Sequence, residues 1–246
     1  MREILYGRQP VRETLRAGRR QVFKLLLAKG VKSTGIVSQI LALAEQAGVP
    51  VQVVERQSLD GLGGEAHHQG LAAETSGYPY MDLGALLESA RQSGEAPFLL
   101  LLDHVQDPQN LGSLLRTGEA AGVHGVVIPH RRAAGVTPAA VRASAGAAEH
   151  VRVAQVTNLV QAMERLKAEG VWLAGLEALH DAQLYDQANL TGPLGLVVGS
   201  EGQGLARLVR ETCDFLIRLP LRGQVESLNA AVAGAVALYE VRRQRG

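Results

Sequence analysis

The 246-residue sequence predicts an α/β protein: a small N-terminal α/β domain, then a larger C-terminal α/β domain with a mainly parallel sheet. Three observations predict it. Five unbroken apolar runs, at 98–102, 125–128, 171–176, 194–198 and 215–219, have the character of strands buried on both faces, as parallel sheets require. Helical segments at 111–121, 158–169, 205–211 and 228–242 separate or follow them, which is the alternation of an α/β domain. Ahead of these lies a shorter unit of different texture, closed by the Gly77-Tyr78-Pro79-Tyr80 punctuation.

Taken in order, the N-terminal unit starts with a basic helical stretch over 9–15 and an apolar strand over 22–28. A helix follows with Ile36, Ile40, Leu43 and Ala47 on one face, ended by Gly48-Val49-Pro50. Residues 51–54 predict a strand, 58–62 a short helix and 71–74 a further strand. A β-α-β-α-β unit of about 75 residues is large enough to fold as a domain. The expected boundaries are 1–76 for this domain, 77–95 for a linker and first helix, and 96–246 for the second domain.

Composition narrows the class. Hydrophobic residues make up 46% and charged residues 20%, which supports packed cores rather than disorder. Cys213 is the single cysteine, so there is no intramolecular disulfide and no cysteine-rich zinc site. No run of 18 apolar residues and no signal-peptide core are present, and the expectation is a soluble cytoplasmic protein. Net charge is +1, yet residues 1–32 carry nine basic side chains against Glu3 and Glu13. Arg8, Arg12, Arg19 and Arg20 in that stretch are candidate phosphate contacts, with a solvated helix face as the alternative.

Three segments place polar, Gly and Pro residues at the ends of buried strands, where open α/β sheets gather their ligands. In Leu102-Asp103-His104-Val105-Gln106-Asp107-Pro108-Gln109-Asn110-Leu111-Gly112-Ser113-Leu114-Leu115-Arg116, Asn110 is placed to cap the following helix. Arg116 can point back toward that helix's start or lie solvated. Gly199-Ser200-Glu201-Gly202-Gln203-Gly204 follows a buried strand with Gly-x-x-Gly-x-Gly spacing, the reverse of the dinucleotide fingerprint. Such a loop is either a tight turn or a place where backbone approaches a ligand. The third segment, Leu219-Pro220-Leu221-Arg222-Gly223-Gln224-Val225-Glu226-Ser227-Leu228-Asn229, enters an Ala/Gly-rich terminal helix, with Ser227 as candidate cap and Asn229 exposed in the first turn.

Together these segments resemble the three motifs of the SpoU family of RNA methyltransferases, in order and spacing, over residues 99–243. Tyr6-Gly7-Arg8, Pro10-Val11 and His68-Gln69-Gly70 extend the likeness to the small RNA-binding domain of members that methylate a guanosine in 23S ribosomal RNA. The resemblance implies a trefoil-knotted catalytic domain, a homodimer with the terminal helix in its interface, and S-adenosylmethionine as methyl donor. No metal is expected, since neither cysteines nor His/Asp clusters with ligand spacing are present. It implies that Gly199, Leu219 and Leu228 hold the cofactor, and that Asn110, Arg116, Glu201, Ser227 and Asn229 surround the acceptor ribose. Arg131 and Arg132 are expected beside the RNA path, a solvated loop being the alternative.

The family's mechanism often assigns the arginine equivalent to Arg116 as base. A guanidinium stays protonated in nearly every protein setting, so charge stabilisation of the developing alkoxide is the better-founded role. One departure from the pattern stands at Ala231, where members often have Ser. Within the family, a transfer-RNA or other ribosomal target is the alternative. Outside it, the rival is a ribosome-assembly RNA-binding protein without catalysis.

Overall fold

A computed structural model describes residues 2–63, 68–225 and 227–246, without the side chains of residues 62 and 63. Glu226 of the third segment lies outside the described residues. The chain divides into two compact units: Met1–Pro79 with Val136–His150, and Tyr80–Gly135 with Val151–Gly246. Residues 136–150, which sequence reading leaves inside the second domain, thus fold with the first.

In the first unit β1 (Arg2–Tyr6), α1 (Arg8–Ala17), β2 (Val22–Ala28), α2 (Ile36–Gln46), β3 (Val51–Val54), α3 (Arg56–Gly63) and β4 (Leu71–Ser76) follow one another. Its four-stranded sheet has the order β1-β4-β2-β3, antiparallel except for the β2–β3 pair. The apolar run of β2 is the centre: Leu25 and Leu27 pack with Val11, Val37, Ile40, Leu71 and Ala73. The helix α2 buries Val37, Ile40 and Ala44, a face rotated from the expected one, and Ala47 is exposed. Strand β1 escapes sequence reading because its REILY stretch has neither a full apolar run nor strict alternation.

The second unit opens with α4 (Leu83–Arg91), capped by Asp82, and continues through β5 (Phe98–Leu102), α5 (Pro108–Ala120) and β6 (Gly125–Pro129). The chain then contributes α6 (Pro138–Ala143) and a 3-10 turn (Ala147–Glu149) to the first unit. It resumes with β7 (Val153–Val156), α7 (Leu159–Ala168), β8 (Trp172–Leu176), β9 (Gln183–Leu184), β10 (Leu194–Val198), α8 (Arg207–Thr212), β11 (Phe215–Arg218) and α9 (Ala230–Arg245).

Seven strands in the order β7-β6-β5-β10-β8-β11-β9 form this sheet, and every pair is parallel. Both faces are covered, so β5, β6 and β10 are buried at every position. Burial of each such Leu or Val contributes roughly 1.5–3 kcal/mol, enough to override weak local propensities. The edge strands β7 and β9 lack that signal, being four and two residues long and partly exposed. Parallel order brings the C-terminal ends of β5, β8, β10 and β11 to one edge, and with them Asp103, Glu177, Gly199 and Leu219.

Candidate active site

The glycine loop after β10 is a closed turn. Ser200 and Gly204 exchange backbone hydrogen bonds of 3.2 and 3.1 Å. Gly199 has no room for a side chain: a Cβ there would fall 2.3 Å from the carbonyl carbon and oxygen of Gly204. Gly204 has φ +64°, and its Cβ would meet Glu177 Oε1 at 2.3 Å.

Two carboxylates from neighbouring strand ends hold the loop's exit. Leu205 N donates to Glu177 Oε2 at 2.8 Å, and Ala206 N donates to Asp103 Oδ2 at 2.7 Å. Asp103 is 1% exposed, and its second oxygen pairs with His104 Nδ1 at 2.5 Å. Nothing in the sequence alone assigns a role to Asp103, His104 or Glu177. Position at the end of a buried strand, the criterion that found the other segments, marks both carboxylates.

The three motif segments meet at Asn229. Its Nδ2 donates to Asn110 Oδ1 at 2.9 Å and also to Glu201 Oε1. Its Oδ1 accepts from Ala231 N and Val232 N at 3.0 and 3.1 Å, so Asn229 is the N-cap of α9. This corrects two expectations. Ser227 does not cap α9, and Asn110 does not cap α5, whose cap is Asp107 accepting from Gln109 N. Pro108 occupies the first turn, where its missing N–H costs nothing, and this moves the helix start ahead of Asn110. Asn110 is therefore free to turn inward, and it is 9% exposed.

Two cavities adjoin this junction. One of about 290 Å³ is lined by Gly199, Glu201, Leu219, Ser227 and Leu228 together with Glu177. A second of about 690 Å³ is lined by Asn110, Glu201, His104, Arg132, Arg207 and Asp103. The expected cofactor residues thus share one cavity, while Asn110 and Arg132 share the other and Glu201 borders both. Arg116 lines neither: it is exposed on α5, and its side chain has no hydrogen bond or ion pair among the described residues.

The predicted basic contacts divide. Arg131 and Arg132 are exposed, the latter at φ +57°. Arg8 binds Gln69 through its backbone N and Nε, and Arg12 pairs with Glu13 at 2.7 Å. Arg19 bonds the Glu149 carbonyl and lies over the Tyr78 ring. Burial pushes the Tyr78 hydroxyl up to about 12, the charge of Arg19 pulling the other way.

Arg20 overturns its expectation, because its side chain is fully buried between Glu3 and Glu149 and offers nothing to RNA. Losing either partner would strand a buried charge, which makes Arg20 a structural residue. Cys213 is likewise inert, its thiol pushed up to about 12 by burial and then by Asp214.

Comparison with known proteins agrees with this geometry. The SpoU rRNA Methylase family matches residues 97–239, and the RNA 2′-O ribose methyltransferase substrate-binding family matches residues 4–81. The chain is 44% identical to YacO of Bacillus subtilis (strain 168), assigned to the TrmH family of tRNA/rRNA methyltransferases, over 99% of this chain and 96% of that protein. Among solved structures, the SpoU methyltransferase AviRb of Streptomyces viridochromogenes, in complex with AdoMet, superposes with a TM-score of 0.82 at 25% identity, over 99% of this chain and 90% of that one. An RNA 2′-O ribose methyltransferase gives 0.79 at 26% identity, over 99% and 89%. With a family match spanning most of the second unit and a full-length relative above 40% identity, the chain belongs to the SpoU rRNA methylase family.

Proposed function

We propose that this protein transfers the methyl group of S-adenosylmethionine to a ribose 2′-hydroxyl of RNA, with a guanosine of large-subunit ribosomal RNA as its target. The observation that carries the reading is the junction of Asn110, Glu201 and Asn229, three residues from separate segments, hydrogen-bonded beside two cavities.

The residues present fit the cofactor. Leu176, Val198, Leu219, Leu221 and Leu228 give the smaller cavity apolar walls for a flat base. Glu177 and Glu201 supply the negative character that a cation requires, and the glycine loop lets backbone approach closely. When bound, the sulfonium supplies an electrophilic methyl group. The protein's part is to align the acceptor oxygen and exclude competing geometry. Asn229 fixes the Glu201 carboxylate against Asn110, and Arg132 is exposed on the same wall to take a phosphate.

A homodimer through α9 belongs to this proposal. The small residues of α9 pack inside the chain: a Cβ on Gly234 would lie 2.6 Å from Leu114 Cδ2 of α5. Its outward stripe is Val232, Val236 and Tyr239, exposed by 51%, 40% and 54% at helical spacing. A second copy covering that stripe would bring the adjoining α5 and its Arg116 into the interface. Arg116 would then stabilise the developing alkoxide at a partner's site, which it does not reach in its own chain. Likeness of the N-terminal unit to a substrate-binding family supports a structured RNA partner.

The test is methyl transfer from labelled S-adenosylmethionine to unmodified ribosomal and transfer RNA transcripts, followed by alkaline hydrolysis. A methylated 2′-oxygen blocks cleavage, so label in alkali-resistant dinucleotides from the large-subunit transcript is expected. Label on a base, or none, would defeat the reading.

A further inference from the structure

The geometry points to His104 as the group that accepts the ribose hydroxyl proton, an assignment that rests on the methyl-transfer reading above. The residue stands two positions past the buried end of β5, at φ +56°, a left-handed conformation that disfavours residues with a side chain. Glycine would adopt it freely. What holds a histidine there is Asp103, whose carboxylate oxygens bind His104 Nδ1 at 2.5 Å and Ala206 N at 2.7 Å. The imidazole is thereby fixed to the same anchor as the glycine loop.

The tautomer follows from the partner. A carboxylate only accepts, so in the neutral ring the proton lies on Nδ1 and the lone pair on Nε2. Nε2 has no hydrogen-bond partner among the described residues, and the side chain is 38% exposed on the wall of the larger cavity with Asn110 and Glu201. Other ionisable groups on that wall are committed. Arg132 and Arg207 stay protonated, Glu201 accepts from Asn229, Asp107 caps α5 and Asp103 carries two N–H bonds. A carboxylate orienting an imidazole that lines a cavity is a base arrangement.

The step balances. The O2′–H bond breaks with its proton passing to His104 Nε2, while O2′ bonds to the methyl carbon. The electron pair of the C–S bond returns to sulfur, and the imidazolium later yields the proton to water. Arg116, a permanent cation, is left the charge-stabilising role.

Two measurements test the assignment. Nitrogen-15 NMR of histidine-labelled protein without cofactor, in mildly alkaline buffer, should show one ring protonated at Nδ1 whose signals vanish in His104→Gly. A resting ring protonated at Nε2 overturns the proposal. Kinetics use whichever unmodified RNA transcript accepts label into alkali-resistant dinucleotides. His104→Gly suits the backbone, and His104→Asn tolerates it while keeping a donor to Asp103. Both should lower kcat by about a hundredfold or more, as loss of a general base does, with KM and cofactor affinity nearly unchanged. Added imidazole should raise turnover of His104→Gly and leave wild type alone. Turnover of both variants within about fivefold of wild type, or a defect confined to KM, refutes the base role and leaves the ribose-methylation reading standing. Wild-type protein that never places label on a ribose oxygen overturns both.

Discussion

Asn229 performs two tasks that substitution can separate. Its Oδ1 caps α9, and its Nδ2 ties Asn110 to Glu201. Asn229→Ala removes both. Loss of the cap costs about 1 kcal/mol, and two lost hydrogen bonds add about 0.5–1.5 kcal/mol each, for roughly 2–4 kcal/mol. Asn229→Ser keeps a capping oxygen and deletes the amide, so the cap term is largely spared. Asn229→Asp keeps the cap and faces Glu201 with a like charge, worth about 4 kcal/mol of repulsion at 4 Å in a near-surface dielectric and about 1 in bulk water.

Thermal unfolding should therefore rank Ser above Ala, with Asp penalised at low salt and recovering as salt screens it. Single-turnover methyl transfer should instead group all three variants together. Each should lose about tenfold to a hundredfold, because the junction opens whether or not the helix is capped. If Asn229→Ser keeps turnover within about threefold of wild type, Asn229 is a cap alone and the functional junction is refuted.

Arg116→Ala should change stability by about 0.5 kcal/mol or less, since the side chain is exposed, yet lower turnover on the order of a hundredfold; unchanged turnover would remove it from the chemistry. Gly204→Ala should weaken cofactor binding by about tenfold or more in calorimetry, because its Cβ displaces Glu177 and the backbone is left-handed at a strain of about 1–2 kcal/mol. Full affinity would show the loop to be adaptable. Glu13 carries a pH signature. Burial pushes its carboxyl up, but bonds from His150 and Arg12 and the nearby Arg16 outweigh this and hold it below its ordinary value of 4.5. Its contribution is present above that value and fades as pH falls through the lower folded-state value, so the stability gap between wild type and Glu13→Gln should shrink on acidification. A widening gap would contradict the assignment.

Much of this was legible because burial writes itself into composition. The runs of β5 and β10 are apolar at every position, and the residues after them are polar or glycine since they border a site. Helix starts were less legible. Asn110 and Ser227 are good capping types in plausible places, but Asp107 and Asn229 won: Pro108 fits the first turn of α5, and the Asn229 amide can cap α9 while bonding outward. The basic N-terminal stretch misled at Arg20, since sequence cannot show that Glu149, 129 residues on, folds into the same unit. Arg116 is recognisable in sequence by its motif, while its separation from both cavities is a matter of three dimensions.

The loop at Gly199–Gly204 raises a physical question that its glycines alone do not answer. Glycine admits the needed conformation but also enlarges the unfolded ensemble, so a glycine-rich loop left to itself would sample many shapes. Asp103 and Glu177 remove that freedom from the outside. Each sits at the end of a strand flanking β10, and each takes one backbone N–H just past the loop. The rigid parallel sheet thereby sets the position of Leu205 and Ala206, while the Ser200–Gly204 bonds close the turn between. A site built this way is ordered before any ligand arrives, so binding need not supply the ordering free energy. The same economy explains why Asp103 serves two partners: the carboxylate that fixes the loop also fixes His104, so the glycine loop and the imidazole keep a common frame.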